Sequence, residues 1–170
     1  MYDSFDAFIL ATDGQTIGAG ECWDYINLIW SHLNARYYTY PPSDPSATNH
    51  GVKWGWINSE ARTANTITGI SQIVNLADVK RGDIVITSGG EFGHAGFASI
   101  DYNGSNILPC YSQNYNGQRY VALNQDDMTT FVGAFRYDAW NPTPTPSSTK
   151  KITRSKFPFV LYANKLRNNR

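Results

Sequence analysis

The chain has 170 residues, 41% of them hydrophobic and 14% aromatic, enough for one well-packed domain with an appendage and too short for two full-sized ones. The formal net charge of zero averages two unlike parts: all 14 Asp+Glu and half of the 14 Lys+Arg precede Lys150, while residues 150–170 carry the remaining basic side chains and no acid. No run approaches the roughly eighteen apolar residues of a membrane span, and 2 cysteines are too few for a disulfide framework or a zinc cluster.

The N-terminal stretch MYDSFDAFILATDG lacks the basic start and small-residue cleavage site of a secretory signal. Work outside the membrane would therefore require release by another factor. In CWDYINLIWSHLNARY, Cys22, Ile26, Ile29, Trp30 and Leu33 recur at helical spacing, so the segment predicts an amphipathic helix with Cys22 at the head of its buried stripe. The following YPPSDPSATNHG reads as an exposed loop, and WGWINSEARTA as a short helical turn. Strand signals then follow closely at 83–87, 94–100, 106–111, 119–124 and 131–137, separated by turns such as SGGEFG and YNGS. The order predicts an α+β fold, helix first and then an antiparallel meander. Residues 141–151, rich in Pro, Thr and Ser, read as a linker after a domain spanning 1–140. Residues 152–170 are too few for a core of their own and read as the start of a C-terminal binding part or a docking arm. A basic run of this kind is either a solvated extension or a contact for an anionic polymer such as teichoic acid or nucleic acid.

A cysteine acts as a nucleophile through its thiolate, and a helix N-terminus or a neighbouring histidine stabilises that form. Cys22 has the first condition, with Gly18 and Gly20 allowing a tight turn before it and its own N–H able to donate to an oxyanion. Among the histidines, His32 falls on another face of the helix and His50 sits in the loop, whereas His94 opens a strand straight after a turn. A cysteine heading a helix and a histidine heading a strand are complementary. If Asn103 and Gly104 centre the next hairpin, Gln113 falls opposite His94, and a one-residue bulge would put Ser112 or Asn114 there. Ser112, Gln113 and Asn114 are therefore the candidates for orienting the imidazole.

Three segments, GAGECWDYINLIW with Cys22, KRGDIVITSGGEFGHAGFASI with His94, and YSQNYNG, together resemble the cysteine, histidine-dependent amidohydrolase/peptidase (CHAP) domains of peptidoglycan hydrolases. The resemblance runs in order over residues 5 to 140 and implies a papain-like fold. It implies Cys22 as nucleophile, His94 as base and then acid, and Asn114 as orienting residue; Gln15 is a candidate for a second oxyanion donor. The substrate would be an amide of bacterial peptidoglycan, at the glycan–peptide junction for an amidase or within the peptides for an endopeptidase. The sequence departs from the family at Glu21, where Gln is frequent, and at Ser112, where many members place Glu. Some relatives bind calcium before the cysteine; Asp13 and Asp24 match such positions, but Gln15 and Ile17 stand where further oxygen ligands would be wanted, so no cofactor is expected. Trp54, Trp56 and Tyr115, read as loop aromatics, are candidates for holding substrate.

The expectation is a bacteriophage endolysin, made in the host cytoplasm without a signal peptide and released to the wall through holin lesions. Its partners would be peptidoglycan and, through the basic tail, wall polymers, rather than nucleic acid. The rival expectation is a peptidoglycan-binding or virion module that keeps the fold without the chemistry.

Overall fold

The computed structural model describes residues 2–44 and 50–141, so the expected linker beyond Asn141 and the basic segment 152–170 lie outside the described residues. Helices come first: α1 (Phe5–Thr12), α2 (Cys22–His32), α3 (Val52–Ile57) and α4 (Ser59–Asn65). Strands β1 (Ile70–Ile73), β2 (Ile84–Thr87), β3 (His94–Ala98), β4 (Ile107–Ser112), β5 (Ala122–Asp127) and β6 (Phe131–Tyr137) follow, forming one antiparallel sheet in the order β1-β6-β2-β3-β4-β5. The protein is thus α+β. Among the described residues no helix is long and apolar enough to cross a membrane.

The meander holds from β2 to β5 but not beyond. Strand β6 returns across the sheet to pair with β2, where Phe135 lies opposite Ile84, and it carries β1 on its outer edge. Arg136 of β6 fastens the return: its guanidinium donates to both carboxylate oxygens of the fully buried Asp83, at 2.9 and 2.7 Å. Helix α1 was not expected from the sequence. Its start is set by the Ser4 hydroxyl, which accepts from the Ala7 N–H, and its apolar residues Phe5 and Phe8 enter the core.

Successive strand residues face opposite sides of the sheet. Ile84, Ile86, Ala95, Phe97 and Phe135 face the helices, meeting Phe8, Tyr25, Ile26, Ile29 and Trp30 in the larger core. Val85, Ala98, Leu108, Cys110 and Ala134 form a smaller cluster on the other face with Val79 and Met128. Helix α2 buries the expected stripe of Cys22, Ile26, Ile29 and Trp30, but it stops at His32 instead of continuing to Tyr37. Asn34 takes a φ of 54°, the left-handed conformation in which helices commonly end.

Candidate active site

The site begins with the turn that delivers Cys22 to the first position of α2. Gly18 has a φ of 59°, and a Cβ there would fall 2.6 Å from the Asp24 carboxyl carbon, so the turn closes onto that side chain only with glycine. Asp24 Oδ2 in turn accepts from the N–H groups of Ala19 (2.8 Å) and Glu21 (3.2 Å), tying the turn to the helix start. Asp24→Ala should cost about 1 kcal/mol in urea unfolding, the usual loss for such a helix-start contact. From the far side the fully buried Gln113 reaches across: its Oε1 accepts from the Ile17 N–H at 3.0 Å, and its Nε2 donates to the Ile17 and Glu21 carbonyls at 2.9 and 2.7 Å.

The Cys22 side chain is 8% exposed at the floor of a groove of about 430 Å³, lined also by Trp23, His50, Phe92, Gly93 and Asn114. Burial pushes the thiol up to about 11; hydrogen bonding from the Ala95 N–H pulls it down, the Glu21 carboxylate raises it, and the N–H groups of Trp23 and of Cys22 itself lower it. Ala95 follows His94, so strand β3 brings the histidine to the nucleophile's neighbourhood through the backbone. Ala95 belongs to the helix-side core, and strand alternation sends the His94 side chain toward the other face. It lines a second hollow of about 360 Å³ with Tyr115, Asp126 and Asp127. Gly93 and Asn114 line both hollows. No hydrogen bond joins Cys22 to His94 among the described residues.

Burial lowers His94 to about 4, so its imidazole is neutral at physiological pH. Its Nε2 is buried without a hydrogen-bond partner, 3.9 Å from Asp126 Oδ2, and its ring meets Tyr115 edge-on at 5.5 Å. Burial also raises Asp126 to about 7, while the Cys110 thiol lowers it by hydrogen bonding to the carboxylate. Asp126 was not singled out from the sequence. It lies in the polar run QDD, just beyond the strand expected at 119–124.

The remaining candidates fall into three groups. Near the site, Asn114 has a φ of 60° and donates from Nδ2 to Glu21 Oε2 at 2.5 Å, while Arg119 pairs with the other oxygen of that carboxylate. Tyr115 is half-buried beside His94, its hydroxyl donating to the Gln125 carbonyl at 2.7 Å. Committed elsewhere, Ser112 is buried with Oγ accepting from Asn124 Nδ2 at 3.0 Å, and Gln113 makes the three bonds given above. Gln15 is exposed, and its backbone carbonyl accepts from the Val121 N–H at 2.8 Å. Contrary to the loop expectation, both tryptophans lie on α3: Trp56 is in the core, 4.8 Å from Phe135 ring to ring, and Trp54 is half-buried. Asp13 ends α1 on the surface and Asp24 is engaged with the turn. Among the described residues no three His, Cys, Asp or Glu are gathered to hold a metal ion.

No family model and no curated protein matches the sequence. Solved structures do resemble the fold. The crystal structure of Ly7917 superposes with a TM-score of 0.51 at 20% identity, covering 76% of this chain and 60% of that one. The wild type endolysin LysIME-EF1 superposes with a TM-score of 0.52 at 18% identity, covering 80% of this chain and 63% of that one. The α+β architecture is therefore shared with these two proteins, and the chain spans less than two thirds of the length of either.

Proposed function

We propose that this chain is a peptidoglycan hydrolase of the CHAP type, acting as the amide-cleaving part of an endolysin, with Cys22 as nucleophile and His94 as its base. The observation that carries the reading is the placement of Cys22 at the first position of α2, at the floor of a groove, with its sulfur under the Ala95 N–H next to His94. The fold likeness to an endolysin supports it, as do the three segments that resemble the CHAP family.

With the thiol at about 11 and the imidazole at about 4, both groups rest neutral at pH 7. Burial favours the neutral form of each group, so this reading requires the His94 ring to reach the thiol past Gly93 and Asn114, which line both hollows, as substrate binds, and to take the proton as Cys22 attacks. The Sγ–C bond forms at the amide carbonyl, and the oxyanion is stabilised by the Cys22 N–H at the unpaired start of the helix. Collapse breaks the C–N bond, His94 returns the proton to the departing amine, and water assisted by His94 then releases the thioester. Asn114, to which the resemblance gives the orienting role, is suitably placed between the two hollows. Residues 152–170 would add contacts to wall polymers, and release from the cytoplasm through membrane lesions would bring the enzyme to the wall.

The test is digestion of purified Gram-positive peptidoglycan by the protein and by Cys22→Ala, with mass spectrometry of the soluble fragments. Free glycan with intact stem peptides is the amidase result, and shortened peptides still bearing sugar are the endopeptidase result. Absence of Cys22-dependent fragments from several wall types overturns the reading in favour of a binding module.

A further inference from the structure

Asp126 is 3% exposed on the edge strand β5, and its Oδ1 is buried without a hydrogen-bond partner. Burying a carboxylate is costly unless another group compensates it. Its neighbours are few: the Cys110 thiol from β4 hydrogen-bonds to it, and His94 Nε2 faces it across 3.9 Å. Among the described residues no Lys or Arg forms an ion pair with it. On the other side of the gap, His94 Nε2 is itself buried and unpartnered. It faces Oδ2 of a carboxylate whose other oxygen, Oδ1, also lacks a partner, and an approach of roughly 1 Å would bring Nε2 and Oδ2 to ordinary hydrogen-bond distance. Catalytic contacts are frequently loose in a free enzyme and tighten around substrate.

Resting on the hydrolase reading, we propose that Asp126 is the positioning residue of His94, its carboxylate accepting a hydrogen bond from Nε2–H so that Nδ1 is left to take the Cys22 proton. Of the competing side chains, Gln113 holds the turn before Cys22, Ser112 accepts from Asn124, and Asn114 is anchored to Glu21 through Nδ2, so that its Oδ1 is the rival acceptor. A carboxylate fixes the imidazole tautomer as an amide does and in addition stabilises the imidazolium formed during attack. The Cys110 thiol holds the carboxylate from the opposite side, a supporting contact of the kind that orients the partners of functional histidines.

Two measurements test this, one of them independent of activity. At about pH 8.5, above the value near 7 to which burial raises Asp126, long-range 15N NMR of the imidazole should find His94 protonated at Nε2 in the wild type, with Asp126→Asn populating the other tautomer. Wild-type protein protonated at Nδ1 would overturn the proposal even if no wall substrate is ever cleaved. On peptidoglycan, Asp126→Asn should lower kcat by about 100-fold or more with KM changed by less than about threefold, since the loss falls on the proton transfer and not on binding. Asp126→Glu should recover part of that loss. Asn114→Ala should reduce kcat much less than Asp126→Asn does. Near-normal kcat in folded Asp126→Asn, with a large loss in Asn114→Ala, would return the orienting role to Asn114. Cys22-independent behaviour of the wild type would instead refute the hydrolase reading, leaving the tautomer measurement to decide the contact.

Discussion

Stability profiles of opposite slope are expected for Asp126→Asn and His94→Phe, the two variants that each remove one titratable group from the 3.9 Å gap. In Asp126→Asn the buried imidazole stands alone, lowered to about 4 from an ordinary 6.5. Between these values the unfolded chain holds a proton that the folded one does not, so stability rises with pH across the window, by roughly 3 kcal/mol, and is then level. In His94→Phe the buried Asp126 keeps its proton up to about 7, against 3.8 when unfolded. Here the folded state holds the extra proton; stability is greatest below about pH 4, falls as pH rises toward 7, by roughly 4 kcal/mol, and then levels off. Phenylalanine is chosen because it cannot donate to the carboxylate. The other titratable groups of the hollow and its floor are Cys110, Tyr115 and Asp127. Cys110 is raised well above the window by burial, and Asp127 is held below its usual range by Thr129, so neither reverses the slopes. Urea unfolding at pH 4, 5.5 and 7 reads both profiles, and level profiles in both variants would contradict the burial of the pair. His94→Phe should also lose wall-solubilising activity by at least about 100-fold, the usual contribution of a positioned base.

Gly133→Ala is expected to be among the most damaging single-methyl additions in the sheet. Gly133 lies on β6 opposite Ile86, and a Cβ there would fall 1.9 Å from Trp56 Cε2 and Cζ2. The indole cannot simply swing away, because Trp56 is 4% exposed and its ring meets Phe135 edge-on. Overpacking of this kind costs about 1–3 kcal/mol and sometimes more, and so close a contact belongs at the upper end. Thermal unfolding should drop by about 10 °C for a domain of this size. Combining Gly133→Ala with Trp56→Leu should restore part of the loss, because the smaller side chain leaves room for the methyl group. Simple addition of the two separate losses would mean that the methyl group is accommodated elsewhere.

The features most legible in the sequence were those written locally. Cys22, Ile26, Ile29 and Trp30 declare α2 by their spacing, and the turns at 88–93 and 102–105 mark where neighbouring strands end and begin. What escaped was written by partners far away in the chain. Strand β6 was found at 131–137, but nothing within it says that it will lie beside β2, since that choice rests on Phe135 meeting Ile84 and Arg136 meeting Asp83. Strand β5 was placed three residues too early, because the Tyr115–Gln118 bridge takes up the chain before it and its exposed edge face is polar. Asp126 disappeared with that error. Gln113 was brought forward on a register in which it opposes His94, and Ser112 and Asn114 on one shifted by a residue; the ladder pairs Phe97 with Tyr111, the shift in the direction of Asn114, and it ends there.

Gln113 carries a consequence for how the groove comes into being. Its three bonds join the turn before Cys22 to the end of β4, across sequence separations of 92 and 96 residues. Such long-range closure is slow and contributes little until most of the intervening chain is ordered. Helix α2 can form early from its own periodicity, but its first residue is fixed only when the fourth strand arrives. A chain in which the end of β4 has not docked therefore lacks the contact that shapes the groove, and competence is expected only once that strand is in place.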